Sequence, residues 1–179
     1  MSVDRIELTT IEPGGPGRTR FPLTVGLPFA PSVLPQGTPV AVRDEDDHAM
    51  PVQTRVMETH ADGSARWLLL DYQADLPPLS AGTHTLVIND RGPEVPPEFV
   101  IRTSDRDSTL IIESGALKIE IDRDCCLPLA KVWHAGKLVS KGGLDFTITD
   151  PRGGTFHTSR EKATTFRIEE EGELRFVAA

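Results

Sequence analysis

Five histidines, His48, His60, His84, His134 and His157, are the side chains of this 179-residue chain best suited to take or give a proton near neutral pH. They fall on separate predicted turns and strands. No two share the spacing of a metal-binding pair, so each reads as a turn or surface histidine. The densest acidic run, Asp44-Glu45-Asp46-Asp47-His48, carries the oxygen ligands that Ca²⁺ takes but lacks the glycine and spaced ligands of a calcium loop. It reads as a solvated hairpin tip between Val40–Arg43 and Val52–Glu58, and no metal is assigned. Cys125 and Cys126 are adjacent; a disulfide between neighbours needs strained geometry and neither has metal-type spacing, so they read as free thiols. Gly14-Gly15-Pro16-Gly17 and Gly142-Gly143 have neither a following helix nor a lysine-serine pair, which makes them loops and not phosphate cradles. Asp62-Gly63-Ser64 runs into a strand, so it is no nucleophile elbow.

Two positions suit the binding of a sugar better than its chemistry. Arg66, beside Trp67, offers a cation and a stacking surface to an anionic sugar, or else is a structural arginine next to a core tryptophan. Trp133, with Lys131 and His134 about it, lies in a less apolar segment than Trp67 and is the better candidate for an exposed ring. Arg66 and Trp133 are therefore the candidate substrate-binding residues, and no catalytic residue is assigned.

These side chains sit in a chain with 19 lysines and arginines against 27 aspartates and glutamates, a net charge of −8. That balance argues against a nucleic-acid or anionic-membrane surface. Its hydrophobic content, 38%, supports a core, yet no stretch approaches the roughly 20 apolar residues of a membrane helix. The start shows no basic and apolar leader, so cytoplasm is slightly favoured. Thirteen of the 15 prolines lie before residue 103 and every lysine lies after it. With the proline-rich connector 91–97 and the polar run 103–108, this predicts two domains, 1–102 and 103–179.

Helical periodicity is nearly absent, whereas strand signals recur between turn clusters. Arg5–Thr10, Phe21–Leu27, Val40–Arg43, Val52–Glu58, Arg66–Tyr72 and Thr83–Ile88 read as strands in the first domain. In the second, Leu117, Ile119 and Ile121 alternate with polar residues, as do Leu144, Phe146 and Ile148; Phe166–Ile168 and Leu174–Val177 read as further strands. Short strands at this density predict a barrel or sandwich. The best local signal is the hairpin Val52–Glu58 to Arg66–Tyr72, where Asp62-Gly63 supplies the positive φ a tight turn needs. Its returning strand is apolar on both faces from Trp67 to Leu70. It is expected to be central, with Trp67, Leu68 and Leu70 in the core.

In their order, Phe21–Phe29, Val40–Arg43, Pro51-Val52-Gln53 and Asp62–Leu68 resemble the RIFT-type β-barrel that opens the exo-rhamnogalacturonan lyase (polysaccharide lyase family 26) and YetA-like proteins. Glu113–Leu117 and Glu169–Arg175 look like the start of that family's central β-sandwich. The resemblance implies an all-β chain, an antiparallel RIFT-type barrel followed by part of a sandwich. It also implies a longer natural protein whose lyase chemistry resides in a later (α/α) toroid.

On that footing the chain is a non-catalytic scaffold whose partner is a rhamnogalacturonan-like polysaccharide, with no cofactor, nucleic acid or membrane. The alternative is a stand-alone β-rich carbohydrate-binding or structural module. Leu174–Ala179 reads as a strand with no return partner, which fits truncation. A far-UV circular dichroism spectrum of β character is expected, and a helix-dominated one would refute the fold class.

Overall fold

The structure is a computed structural model and describes residues 5–92, 95–124, 127–161 and 165–179. It divides into two compact units, Met1–Glu98 and Phe99–Ala179. The adjacent cysteines lie outside the described residues. Among the described residues no helix is long and apolar enough to cross a membrane.

Among the described residues six strands build the first unit: β1 (Arg5–Ile11), β2 (Arg18–Pro28), β3 (Val40–Arg43), β4 (Val52–Thr59), β5 (Ala65–Leu76) and β6 (Ala81–Ile88). They form two antiparallel three-stranded sheets ordered β1-β6-β3 and β2-β5-β4. Side chains alternate along a strand, so β5 turns Leu68, Leu70, Tyr72, Ala74 and Leu76 inward, where all are buried. From the other sheet Leu8, Val42, Leu86 and Ile88 meet them in one cluster. Pro22 and Pro28 are tolerated in β2 because it pairs only with β5 and its other edge needs no amide donors.

Two expectations are corrected here. Trp67 is 43% exposed, not a core residue. It shares the parity of Leu69 and Asp71, opposite to that of Leu68 and Leu70, so an apolar run did not mean burial on both faces. The acidic run is not the tip of a hairpin between β3 and β4 either, because these strands belong to different sheets. It turns the chain from one sheet to the other. Asp44 Oδ1 accepts the amides of Asp46 (3.0 Å) and His48 (2.8 Å), and Arg43 closes the turn on the Asp47 carbonyl at 2.8 Å.

The second unit holds a five-stranded antiparallel meander: β7 (Arg102–Arg106), β8 (Thr109–Ser114), β9 (Leu117–Asp122), β10 (Leu127–His134) and β11 (Lys137–Lys141), paired in sequence order. Two ribbons follow, β12 (Thr147–Thr149) with β13 (Thr155–His157), and β14 (Ile168–Glu171) with β15 (Phe176–Ala178). A short 3₁₀ turn spans Thr158–Arg160. Among the described residues of this unit only Leu110 and Ile111 are buried apolar side chains. Leu144, Phe146 and Ile148, expected to face a core, are exposed, Ile148 at 67%. Of the three only Ile148 lies in a strand, β12, and its two-stranded ribbon brings no second layer to cover it. The last strand does have a return partner: Glu171 pairs with Phe176 and Ile168 with Ala178. A bend at Glu173-Leu174 closes it locally.

Leu70 lies wholly inside the first unit and Trp67 on its surface. In urea denaturation Leu70→Ala is expected to cost about 2–5 kcal/mol, the range for a buried leucine, and Trp67→Ala less than about 2 kcal/mol. Equal losses would contradict the parity of β5.

Candidate functional site

The hairpin between β4 and β5 is fastened at its tip. Gly63 takes φ +81°, which a side chain there would strain. Asp62 then gathers donors: Oδ1 accepts the Ser64 amide (2.9 Å) and hydroxyl (2.6 Å), and Oδ2 accepts the Ser32 hydroxyl (2.6 Å). These bonds, Ser32 first, hold its carboxyl well below the usual carboxylate range. His60 Nε2 meets the Phe29 carbonyl at 2.8 Å. Asp62, Gly63 and His60 are thus structural parts of a turn. Arg66 leaves the tip and pairs with Glu58 at 2.7 Å, both half in solvent. Such a pair contributes about 0–1 kcal/mol.

The other histidines are dispersed. His48 lies 3.3 Å from Asp44 on the surface, His134 is exposed at the end of β10, and His157 Nδ1 lies 2.9 Å from Asp145. The Ser159 amide and His157 hold the Asp145 carboxyl down at about 2. His84 differs. It is buried, its Nδ1 lies 3.4 Å from Thr10 Oγ1, and its ring meets Tyr72 edge-on at 5.4 Å. It borders a cleft of about 450 Å³ that Asp44, Glu45, Asp46, Asp75 and Gln73 also line. Burial pushes its pKa down, against a smaller opposing pull from Glu45 and Asp44. Sequence spacing gave no sign of this cluster, because Thr10, Tyr72 and His84 are brought together only by pairing across both sheets. Among the described residues no group of three or more His, Cys, Asp or Glu is placed to hold a metal.

The Gly14–Gly17 loop cradles a carboxylate of its own chain. Buried Glu12 accepts the Gly15 amide at 2.7 Å and Arg18 Nε at 2.7 Å. A Cβ on Gly15 would lie 2.3 Å from Glu12 Oε1.

Trp133 occupies a different setting. It lies where β10 bulges against β11, between Val132 and Trp133. Ala135 (φ +49°) and Gly136 (φ +75°) then turn the chain back. Lys118, its partner across β9, holds Nζ 5.2 Å from the indole centroid, and Lys131 Nζ is at 5.8 Å, both in cation–π range. Lys131 is paired with Glu120 at 2.9 Å, whereas Lys118 is only 3.9 Å from Glu113. The ring borders a cleft of about 640 Å³ that Arg102, Glu113 and Lys118 also line. An aromatic face flanked by cations suits a flat ligand carrying negative charge. The structure places Arg66 on the first unit and Trp133 on the second, so each candidate binding residue is read within its own unit.

Residues 4–76 match the family model of the PcRGLX-like N-terminal RIFT barrel domain. The chain is all-β, and its first unit carries a RIFT barrel. The match takes in β1 to β5, and β6 follows it. No curated protein matches the chain.

Because folded His84 resists protonation while the unfolded chain does not, its contribution to stability is present above about pH 6.5 and is lost as the pH falls below it. An NMR titration is expected to place the His84 ring below 6.5, with the denaturation midpoint falling over the same interval. Titration at or above 6.5 would contradict its burial.

Proposed function

We propose that the chain is the non-catalytic N-terminal region of an exo-rhamnogalacturonan lyase-like, YetA-like protein that acts on pectic polysaccharide. The RIFT barrel match at residues 4–76 carries this reading. On the same reading residues 103–179 open the central sandwich, and the elimination chemistry belongs to a later toroid.

Removing a proton beside a uronate carboxylate requires a base, a group that neutralises the carboxylate, and an acid for the leaving oxygen, all in one constellation. The dispersal of His48, His60, His84, His134 and His157 over separate strands and turns supports a scaffold over a catalytic unit.

The part we assign to this chain is contact with substrate. Trp133 stacks on a sugar ring while Lys118 and Lys131, beside the indole, face its carboxylate, a pairing that Coulomb attraction favours. Arg66 is the secondary candidate, since a ligand carboxylate would have to displace Glu58 from it.

The test is calorimetry with rhamnogalacturonan oligosaccharides alongside an absorbance assay for unsaturated product. Saturable binding is expected, weakened roughly tenfold by Trp133→Ala and less by Lys118→Ala, with no turnover above the buffer blank. Turnover abolished by changing any one of the five histidines would overturn the non-catalytic assignment.

A further inference from the structure

Two locally unfavourable choices meet on the outer face of the sheet β2-β5-β4. Trp67 leaves 43% of its surface in solvent. Gly26 sits in the interior of an 11-residue strand, where glycine weakens pairing and packs nothing. Its backbone is not left-handed, so conformation does not demand it. Space does. A Cβ on Gly26 would lie 2.6 Å from Trp67 Nε1 and 3.0 Å from Cε2. The indole edge therefore occupies the room that a side chain would fill, which fixes the ring on the sheet while much of it stays accessible. A sequence that accepts both costs at one point is expected to use them.

The same face continues in polar groups. Register sets Leu69 between Gly26 and Arg55, and Asp71 between Thr24 and Gln53. Thr24 donates its hydroxyl to Asp71. We propose that Trp67 is a stacking platform for a neutral pyranose ring, whose C–H face lies on the indole. A protein partner fits poorly, since a standard interface covers about 800 Å² a side while an indole supplies about 150–250 Å². The remaining groups of this face are mostly polar. The proposal rests on the saccharide-binding reading above but uses a separate unit and a different sugar chemistry.

The chain has two tryptophans, so Trp133→Phe leaves Trp67 as the sole indole and Trp67→Phe leaves Trp133. Emission from the Trp133→Phe chain is titrated with galactotetraose, cellotetraose and methyl α-L-rhamnopyranoside. The Trp67→Phe chain is titrated with tetragalacturonate. A saturable change in the first, weakened about tenfold when Gly26→Ala displaces the ring, is expected. Urea midpoints and circular dichroism establish that each variant remains folded. No response to any of the three sugars, with a saturable response at Trp133, would overturn the Trp67 platform and leave the Trp133 reading intact. A flat Trp133 with a responding Trp67 would do the reverse. Self-association abolished by Trp67→Ala, without a sugar response, would give this face to a second copy of the chain and overturn the proposal.

Discussion

Strand β5 is the constraint on which the first unit depends. It alone pairs on both edges in its sheet, and its five inward residues from Leu68 to Leu76 make up much of the core. At 25 cal/mol per Å² the burial of such side chains contributes about 1.5–3 kcal/mol each, so no other strand fixes as much. Period-2 alternation then leaves β5 no freedom on its other face. Once Leu68 and Leu70 point to the core, Trp67, Leu69 and Asp71 lie on the opposite face, where Trp67 is exposed and Asp71 is covered, and a slip of one residue would exchange the two sets. The Asp62 turn sets that register. Its carboxylate satisfies Ser32 and Ser64 together, tying the hairpin to the loop after β2. The Ala65 amide bonds the Leu34 carbonyl at 2.8 Å just where β5 begins.

The second unit is built on a different balance. Its meander has neighbours only in sequence order, so its contacts are local and cheap in loop entropy. Little apolar area is buried in return: Leu110 and Ile111 are covered, while Ile148 and Phe156 face each other across a ribbon with 67% and 57% of their surfaces exposed. Much of its order comes from polar fastenings instead. Asp145 collects Ser159 and His157, and Asp150 Oδ1 caps the turn at Arg152 and Gly154, both at 2.8 Å. A carboxylate that satisfies two or three amides removes donors that would otherwise be left unpaired, which turns of this length cannot do through backbone alone.

How much of this was legible in the sequence follows from the range of each interaction. The strand positions of the first unit, the Asp62-Gly63 turn and the inward Leu68 and Leu70 are written in local alternation and turn chemistry, and they could be read. The exposure of Trp67 could not, because a continuous apolar run fits a strand covered on both faces as well as one covered on a single face. The Trp67–Gly26 contact has a faint signal, a glycine inside an otherwise regular strand, which marks close approach without saying of what. The Thr10–Tyr72–His84 cluster had no local signal at all, since Tyr72 and His84 lie 62 and 74 residues from Thr10. The acidic run was misread for a related reason. Local turn chemistry was right, but which sheet each flanking strand joins is decided by long-range pairing.

The two tryptophans sit in opposite electrostatic settings, and this separates their proposed roles. Trp133 has two lysine ammonium groups within 6 Å of its ring, in a chain whose net charge is −8. An anionic sugar approaching it is repelled by the molecule as a whole and attracted only within about a Debye length, roughly 10 Å at 0.1 M salt. Recognition there depends on local cations and weakens as salt screens them. Trp67 has Asp71 two rows along its face, already engaged by Thr24. It offers a ring face held in place by the edge that packs on Gly26, so binding there rests on dispersion and apolar contact, which salt does not screen.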